Sequence, residues 1–378
     1  MSQMLYQILI VLSAFIVSAS VIPGLIRFAI QQGAVDQPGG RKKHEHPTPA
    51  FGGVAVLIGL FFAIGLGLGQ LQFAEIGIVL AVSAGLFALG LVDDLLTLGA
   101  SQKLMIQIGL AAFAVSSGLV IPSLDGLLGL YQIDPIFQKG LALLFIVGIM
   151  NAMNLIDGID GLAGGLGMIV ALGTGLFLCM TGEYLYGMLG LILAASLAGF
   201  LVHNISPANI FMGDNGSLVL GFLLSVLSIR VFQRIDVMTL PGVFDGYGIS
   251  WVFAMLIVPV FDVVQVSFTR ILQGRSPFSP DYNHTHHLLV RLGLRHDQAA
   301  MALYLFTTAA VVLTGLGFML GLAGNLVFVL LLSLALLSII GLRITVVRFE
   351  SKTQARKQKT QEAPFPARAL LVIRNYLF

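Results

Sequence analysis

About eleven apolar stretches alternate with short polar connections along the chain. They lie near 4–22, 51–69, 73–92, 104–121, 140–156, 162–180, 187–203, 216–232, 249–271, 298–320 and 323–345. A membrane-crossing helix needs about 20 mostly apolar residues, and these runs come close to it. The pattern predicts an all-α, polytopic integral membrane protein. Residues 1–345 read as one transmembrane domain and 346–378 as a basic tail, in which 367–378 suits a short interfacial helix. The first run has no basic flank and no clear small-residue cleavage site, so it reads as a retained helix.

Composition strengthens this picture. The chain is 57% hydrophobic and 10% charged, against roughly a quarter charged in soluble domains. Its single cysteine, Cys179, lies in an apolar run. It excludes an intrachain disulfide and a cysteine metal cluster, and reads as a small packed hydrophobe. Gly161, Gly164, Gly165 and Gly167 read as close helix packing, not a phosphate loop.

Charge sets the orientation. All but Lys139, Arg230 and Arg234 of the 20 Lys and Arg residues fall on one set of alternate connections. Cytoplasmic loops hold the excess of Lys and Arg, so that side is the cytoplasm. The N-terminus is then outside and the C-terminus inside. Five polar clusters emerge on the same cytoplasmic face, whereas the opposite loops carry scattered Asp125, Asp134, Glu183, Asp236 and Asp245.

The first cluster is Asn151-Ala-Met-Asn154-Leu-Ile-Asp157-Gly-Ile-Asp160-Gly161. Polar residues every third position beside hydrocarbon are costly. If the helix runs through them, they form one slowly drifting ridge. Its oxygens suit a hard cation such as Mg²⁺, or the polar edges of a nucleotide. A helix end meeting water is the plainer alternative. Asp93 and Asp94 close the third run. Adjacent carboxylates repel, so at least one needs a metal, a cation or a proton. They point about 100° apart on a helix, which assigns them different jobs. Taken alone, the pair reads equally well as the mark of a helix end.

Phe211-Met-Gly-Asp214 puts a carboxylate at the start of a run, where capping the helix is the alternative role. Phe211 suits either a base or ordinary packing. His284-Thr-His286-His287 stands near Arg275. Imidazole and guanidinium together suit phosphate oxygens. A transition metal is the second reading, but the chain lacks a matching His or Cys group to complete a zinc site. Arg41-Lys42-Lys43-His44 is either a topology signal or a collector of anionic substrate. Asp262, after Pro259 in an apolar run, is a functional candidate or the partner of a neighbouring Arg. Pro259 is a place for that run to bend. Together these groups equip the membrane surface for phosphoryl transfer, with a lipid as one reactant.

The ordered set resembles the bacterial polyprenyl-phosphate N-acetylhexosamine-1-phosphate transferases, relatives of the phospho-MurNAc-pentapeptide transferases. The matching pieces are Asp93-Asp94, the Asn151 to Gly161 segment, Phe211-Met-Gly-Asp214 and Ser276-Pro-Phe-Ser-Pro-Asp281-xx-His284-Thr-His286-His287. The His-x-His-His form looks like the branch that uses UDP-GlcNAc to start O-antigen, common-antigen or teichoic-acid synthesis. The resemblance implies that undecaprenyl phosphate attacks the sugar-linked phosphorus of a UDP-N-acetylhexosamine and that UMP leaves. It implies Mg²⁺, with Mn²⁺ as the alternative, held by Asn154 and Asp214. Asp93 would orient or deprotonate the lipid phosphate, with Asp94 in support. Asp160 would read the uracil edge and Phe211 would stack near it. Asn151 and Asp157 would support them, while Arg275, His284, His286 and His287 hold phosphate or sugar. It also implies a multi-pass protein of the bacterial inner membrane, with membrane lipids around it, no nucleic-acid partner and room for a homodimer. QuiNAc, FucNAc or GalNAc donors, an ion-coupled transporter and an inactive assembly scaffold are the competing readings.

Overall fold

The computed structural model describes residues 3–35, 48–67, 73–96, 98–124, 126–238, 247–275 and 284–362. Among the described residues there is no strand; the chain is helical. The helices are α1 (Gln3–Gln31), α2 (Gly52–Leu66), α3 (Phe73–Leu96), α4 (Ala100–Ser116), α5 (Pro135–Ile156), α6 (Leu162–Met180), α7 (Tyr184–Asn204), α8 (Asp214–Met238), α9 (Tyr247–Met255), α10 (Ile257–Leu272), α11 (Thr285–Arg291), α12 (His296–Met319) and α13 (Gly324–Glu362). A 3₁₀ turn spans Leu127–Gly129.

Each predicted apolar run meets one of these helices, or the α9–α10 pair at 249–271. Eight helices among the described residues are long and apolar enough to cross a membrane, or nine with the bent pair as one span. The two others expected as spans are α2, with 15 residues, and α4, with 17. The first turn of α4 is polar (Ser101, Gln102, Lys103), which shortens its apolar part. The α9–α10 bend is 80°. It falls at Leu256, just before Pro259. Proline has no N–H to donate to the carbonyl of Met255, and the helix breaks there.

Burial ranks the helices. The most apolar window of α8 is 83% buried, against 22% for α1 and 17% for α13. α8 is therefore the central post, packed against α3, α5 and α6. Large apolar side chains such as Phe28, Leu144 and Leu337 face outward, which suits a lipid solvent. The α6 glycines serve packing, as expected: a Cβ on Gly165 would stand 2.1 Å from the Tyr304 hydroxyl of α12. α13 continues past the last apolar run and carries Arg348 and Lys352 on the same helix. The C-terminal ends of α3 and α5 meet the N-terminal end of α8, and this junction gathers the chemistry.

Candidate active site

Asp93 and Asp94 diverge as their spacing predicts. Asp93 Oδ1 accepts the backbone N–H of Leu98 at 2.7 Å, and its Oδ2 accepts Lys103 Nζ at 2.9 Å. Lys103 Nζ also donates to Asp214 Oδ2. One ammonium thus joins carboxylates from α3 and α8. Asp94 turns the other way. Its Oδ1 accepts the N–H of Asp214 at 3.0 Å. Its Oδ2 accepts the N–H of Asn215 at 3.1 Å and the Asn215 side-chain amide at 2.6 Å. The first N–H groups of α8 have no partner inside their own helix, so Asp94 serves as a cap supplied by α3. Asp214 itself is the first residue of α8, not its cap.

The polar ridge is shorter than the spacing suggests. α5 ends at Ile156, and Asp157 is its C-cap. The turn beyond includes Gly161 at φ +78°, a left-handed conformation that suits glycine. Asn151 and Asn154 therefore share the helix, while Asp157 and Asp160 lie in the turn. Asn151 Nδ2 donates to Gln107 Oε1 of α4 at 2.8 Å. Asn154 Nδ2 donates to Asp214 Oδ1 at 2.7 Å and to Ser217 Oγ at 2.9 Å. The turn is pinned by Asn204 of α7. Its Oδ1 accepts the Gly161 N–H at 3.0 Å, and its Nδ2 donates to the Ile210 carbonyl at 2.8 Å.

Asp157 faces this cluster. Burial pushes its carboxyl well above the usual range, and the charges of Asp214, Asp94 and Asp160 add to the effect against one N–H from Gly213. Asp160 goes the other way. Burial alone would raise it, but His296, Ser206 and the Ala208 N–H together bring it below the ordinary value. His296 Nδ1 stands 3.5 Å from Asp160 Oδ1.

The histidine segment is anchored by Asp262, which pairs with His284 and not with a neighbouring Arg. His284 Nδ1 lies 2.7 Å from Asp262 Oδ2. The His286 and His287 rings are 4.1 Å apart. A Cβ on Gly158 would stand 2.7 Å from His286 Nε2, so the histidines touch the turn after α5. Arg275 is exposed at the end of α10, and its backbone N–H donates to the Arg270 carbonyl at 2.9 Å. Phe211 is half-buried in a short ladder: its N–H donates to Pro49, and its carbonyl accepts from Gly52, both at 2.8 Å. A cavity of about 240 Å³ lies beside the histidines, lined by apolar groups of α10, α12 and α13 with Asp262 and Thr285 among them.

The Arg41-Lys42-Lys43-His44 cluster, the 276–283 motif, Asp125, Asp245 and the 367–378 segment lie outside the described residues, as does the Asp236 side chain. Lys103, Asn204 and His296 are central to the geometry but were not expected there. In sequence, Lys103 reads as one more cytoplasmic charge. Its closeness to Asp93 across a tight helix connection was the available signal.

Among the described residues, no three His, Cys, Asp or Glu side chains are gathered closely enough to hold a metal ion by themselves. The available donors are oxygens, and the carboxylates outnumber the one ammonium between them. That combination fits a Mg²⁺ ion, which commonly takes one or two carboxylates and completes its shell with water and substrate phosphates.

The profile of glycosyl transferase family 4 matches residues 76–232, a stretch from α3 to α8. The chain is 35% identical over 313 residues to the "Probable undecaprenyl-phosphate N-acetylglucosaminyl 1-phosphate transferase" of Bacillus subtilis, covering 79% of this chain and 84% of that protein. It is 36% identical over 309 residues to the decaprenyl-phosphate N-acetylglucosaminephosphotransferase of Mycolicibacterium smegmatis, covering 74% of each. It is 30% identical over 300 residues to the undecaprenyl-phosphate alpha-N-acetylglucosaminyl 1-phosphate transferase of Salmonella typhi, covering 77% of each.

Proposed function

The chain belongs to glycosyl transferase family 4, and on that premise we propose that it transfers GlcNAc-1-phosphate from UDP-GlcNAc to undecaprenyl phosphate. A lipid phosphate oxygen attacks the sugar-linked phosphorus, UMP leaves, and the lipid-linked sugar diphosphate stays in the membrane. This is the first step of a surface polysaccharide. The observation that carries the reading is the joining of Asp93 and Asp214 through Lys103, at the meeting of three span ends. Such a cluster, carboxylates around one ammonium, would suit a cation-borne diphosphate, and span ends are where a lipid phosphate would approach.

Asp214 and Asn154 would hold Mg²⁺, with Asp157 close by. The bound ion would neutralise charge developing on the diphosphate. Asp93, steadied by Leu98 and Lys103, would face the lipid phosphate, while Asp94 keeps α8 in register. The histidines would meet phosphate or sugar oxygens, and Asp160 and Phe211 the uracil side. Eleven spans, with the N-terminus outside and this junction at the cytoplasmic face of the inner membrane, complete the proposal.

The test is UMP release by the purified full chain. UMP should appear only when UDP-GlcNAc, undecaprenyl phosphate and Mg²⁺ are all present. Asp214→Asn should lower kcat by about 100-fold or more, the scale of losing one charge-stabilising group. No UMP with any UDP-aminosugar would sink the reading, and near-normal turnover in Asp214→Asn would remove that residue from the metal site.

A further inference from the structure

Asp262 is 2% exposed, within the bent α9–α10 span. Its hydrogen bonds come mainly from the segment 22 residues further on. Oδ2 faces His284 Nδ1 at 2.7 Å. Oδ1 accepts the Thr285 backbone N–H and hydroxyl, both at 2.6 Å. Gln265 Nε2 adds a longer contact at 3.4 Å, and the other end of that amide, Oε1, accepts from Arg343 of α13 at 2.7 Å.

Capping Thr285 does not explain a buried carboxylate, since a neutral Ser or Asn caps a helix as well. The His284 contact does. An acceptor at both oxygens leaves the shared hydrogen on His284 Nδ1. The ring is then fixed in orientation, and Nε2 is the nitrogen that remains to accept or release a proton. His284 is itself 3% exposed. It stacks on His286 at 5.9 Å and 13°, and His286 abuts Gly158 of the turn after α5. Setting one ring therefore sets the row.

We propose that Asp262 is a positioning residue that holds His284 in the Nδ1-protonated form and aligns the histidine row with the site. The role rests on the transferase reading, whereas the protonation state can be measured without it.

The full chain in detergent would be compared with Asp262→Asn, His284→Gln and the double variant by UMP release. Asn keeps the shape, and its Oδ1 can still accept from Thr285. Its Nδ2 then faces His284 and demands the opposite tautomer. Asp262→Asn should lose roughly 100-fold in kcat, at the upper end of what loss of a histidine-orienting partner costs, with KM for UDP-GlcNAc little changed. The double variant should lose no more than His284→Gln alone, because the two residues act as one unit. Unchanged kcat in Asp262→Asn, or additive losses in the double variant, would overturn the proposal. Nitrogen-15 spectra of histidine-labelled wild type, assigned with His284→Gln, read the ring directly and need no Asp262 variant to fold. A proton on Nδ1 is expected; a neutral ring protonated on Nε2 defeats the idea. If the wild type releases no UMP, the transferase reading fails, and the spectrum still decides the role of Asp262 toward His284.

Discussion

His286 shows how a single residue can register both burial and crowding. It is 1% exposed, and its pKa is pushed down to about 3 from 6.5, first by burial and then by the neighbouring His287. Between those two values the unfolded chain binds the proton and the folded chain does not. Stability therefore rises with pH across this window and is lost as the pH falls through it. Thermal unfolding in detergent should show a lower Tm at pH 5 than at pH 7.5, with a shallower fall in His286→Gln. An identical fall in the variant would rule out this source. At this scale the sequence was informative about Asp93 and Asp94, because adjacent helix positions must diverge. It hinted at Lys103 only through its closeness to Asp93; the link to Asp214 depends on a carboxylate that the fold brings from another helix. Asp262 was visible as an expensive buried charge, but its partner lies 22 residues away and only the fold brings the two together.

The turn after α5 sets what each half of the polar segment can reach. Threefold spacing suggests one ridge, yet the helix stops at Ile156 and hands Asp157 and Asp160 to a loop. Gly158 and Gly161 were the signs of that stop. Gly158 has a second duty, because His286 fills the space a side chain would need. Gly158→Ala should therefore displace the histidine row while leaving the helices intact. We expect kcat to fall by about tenfold, the scale of a barrier change of about 1.4 kcal/mol, with unchanged helical circular dichroism. Wild-type kcat in this variant would show that the contact is slack. The helices themselves were legible from apolar runs. Their exact span count was less so, because α2 and α4 are too short to decide by length and composition alone.

For the whole molecule, charge asymmetry gives the clearest forecast. Of the three cations assigned to the other side, Arg230 donates to the Tyr186 hydroxyl at 2.5 Å and Arg234 lies 3.7 Å from Glu183. A Cys179→Ala background with Ser351→Cys should react with an impermeant maleimide in inverted vesicles but not in intact cells. Labelling of intact cells would reverse the proposed orientation. α8 draws these scales together, being the most enclosed of the candidate spans. Its first N–H groups carry the positive pole of the helix macrodipole, often a seat for phosphate. Here Asp94 already occupies that pole. Under the proposed reaction, the donor's diphosphate would be denied a helix-end berth and would meet the carboxylates of Asp93, Asp94 and Asp214 instead. Its admission would then depend on an accompanying cation, and the proposal expects nucleotide affinity to rise and fall with metal concentration.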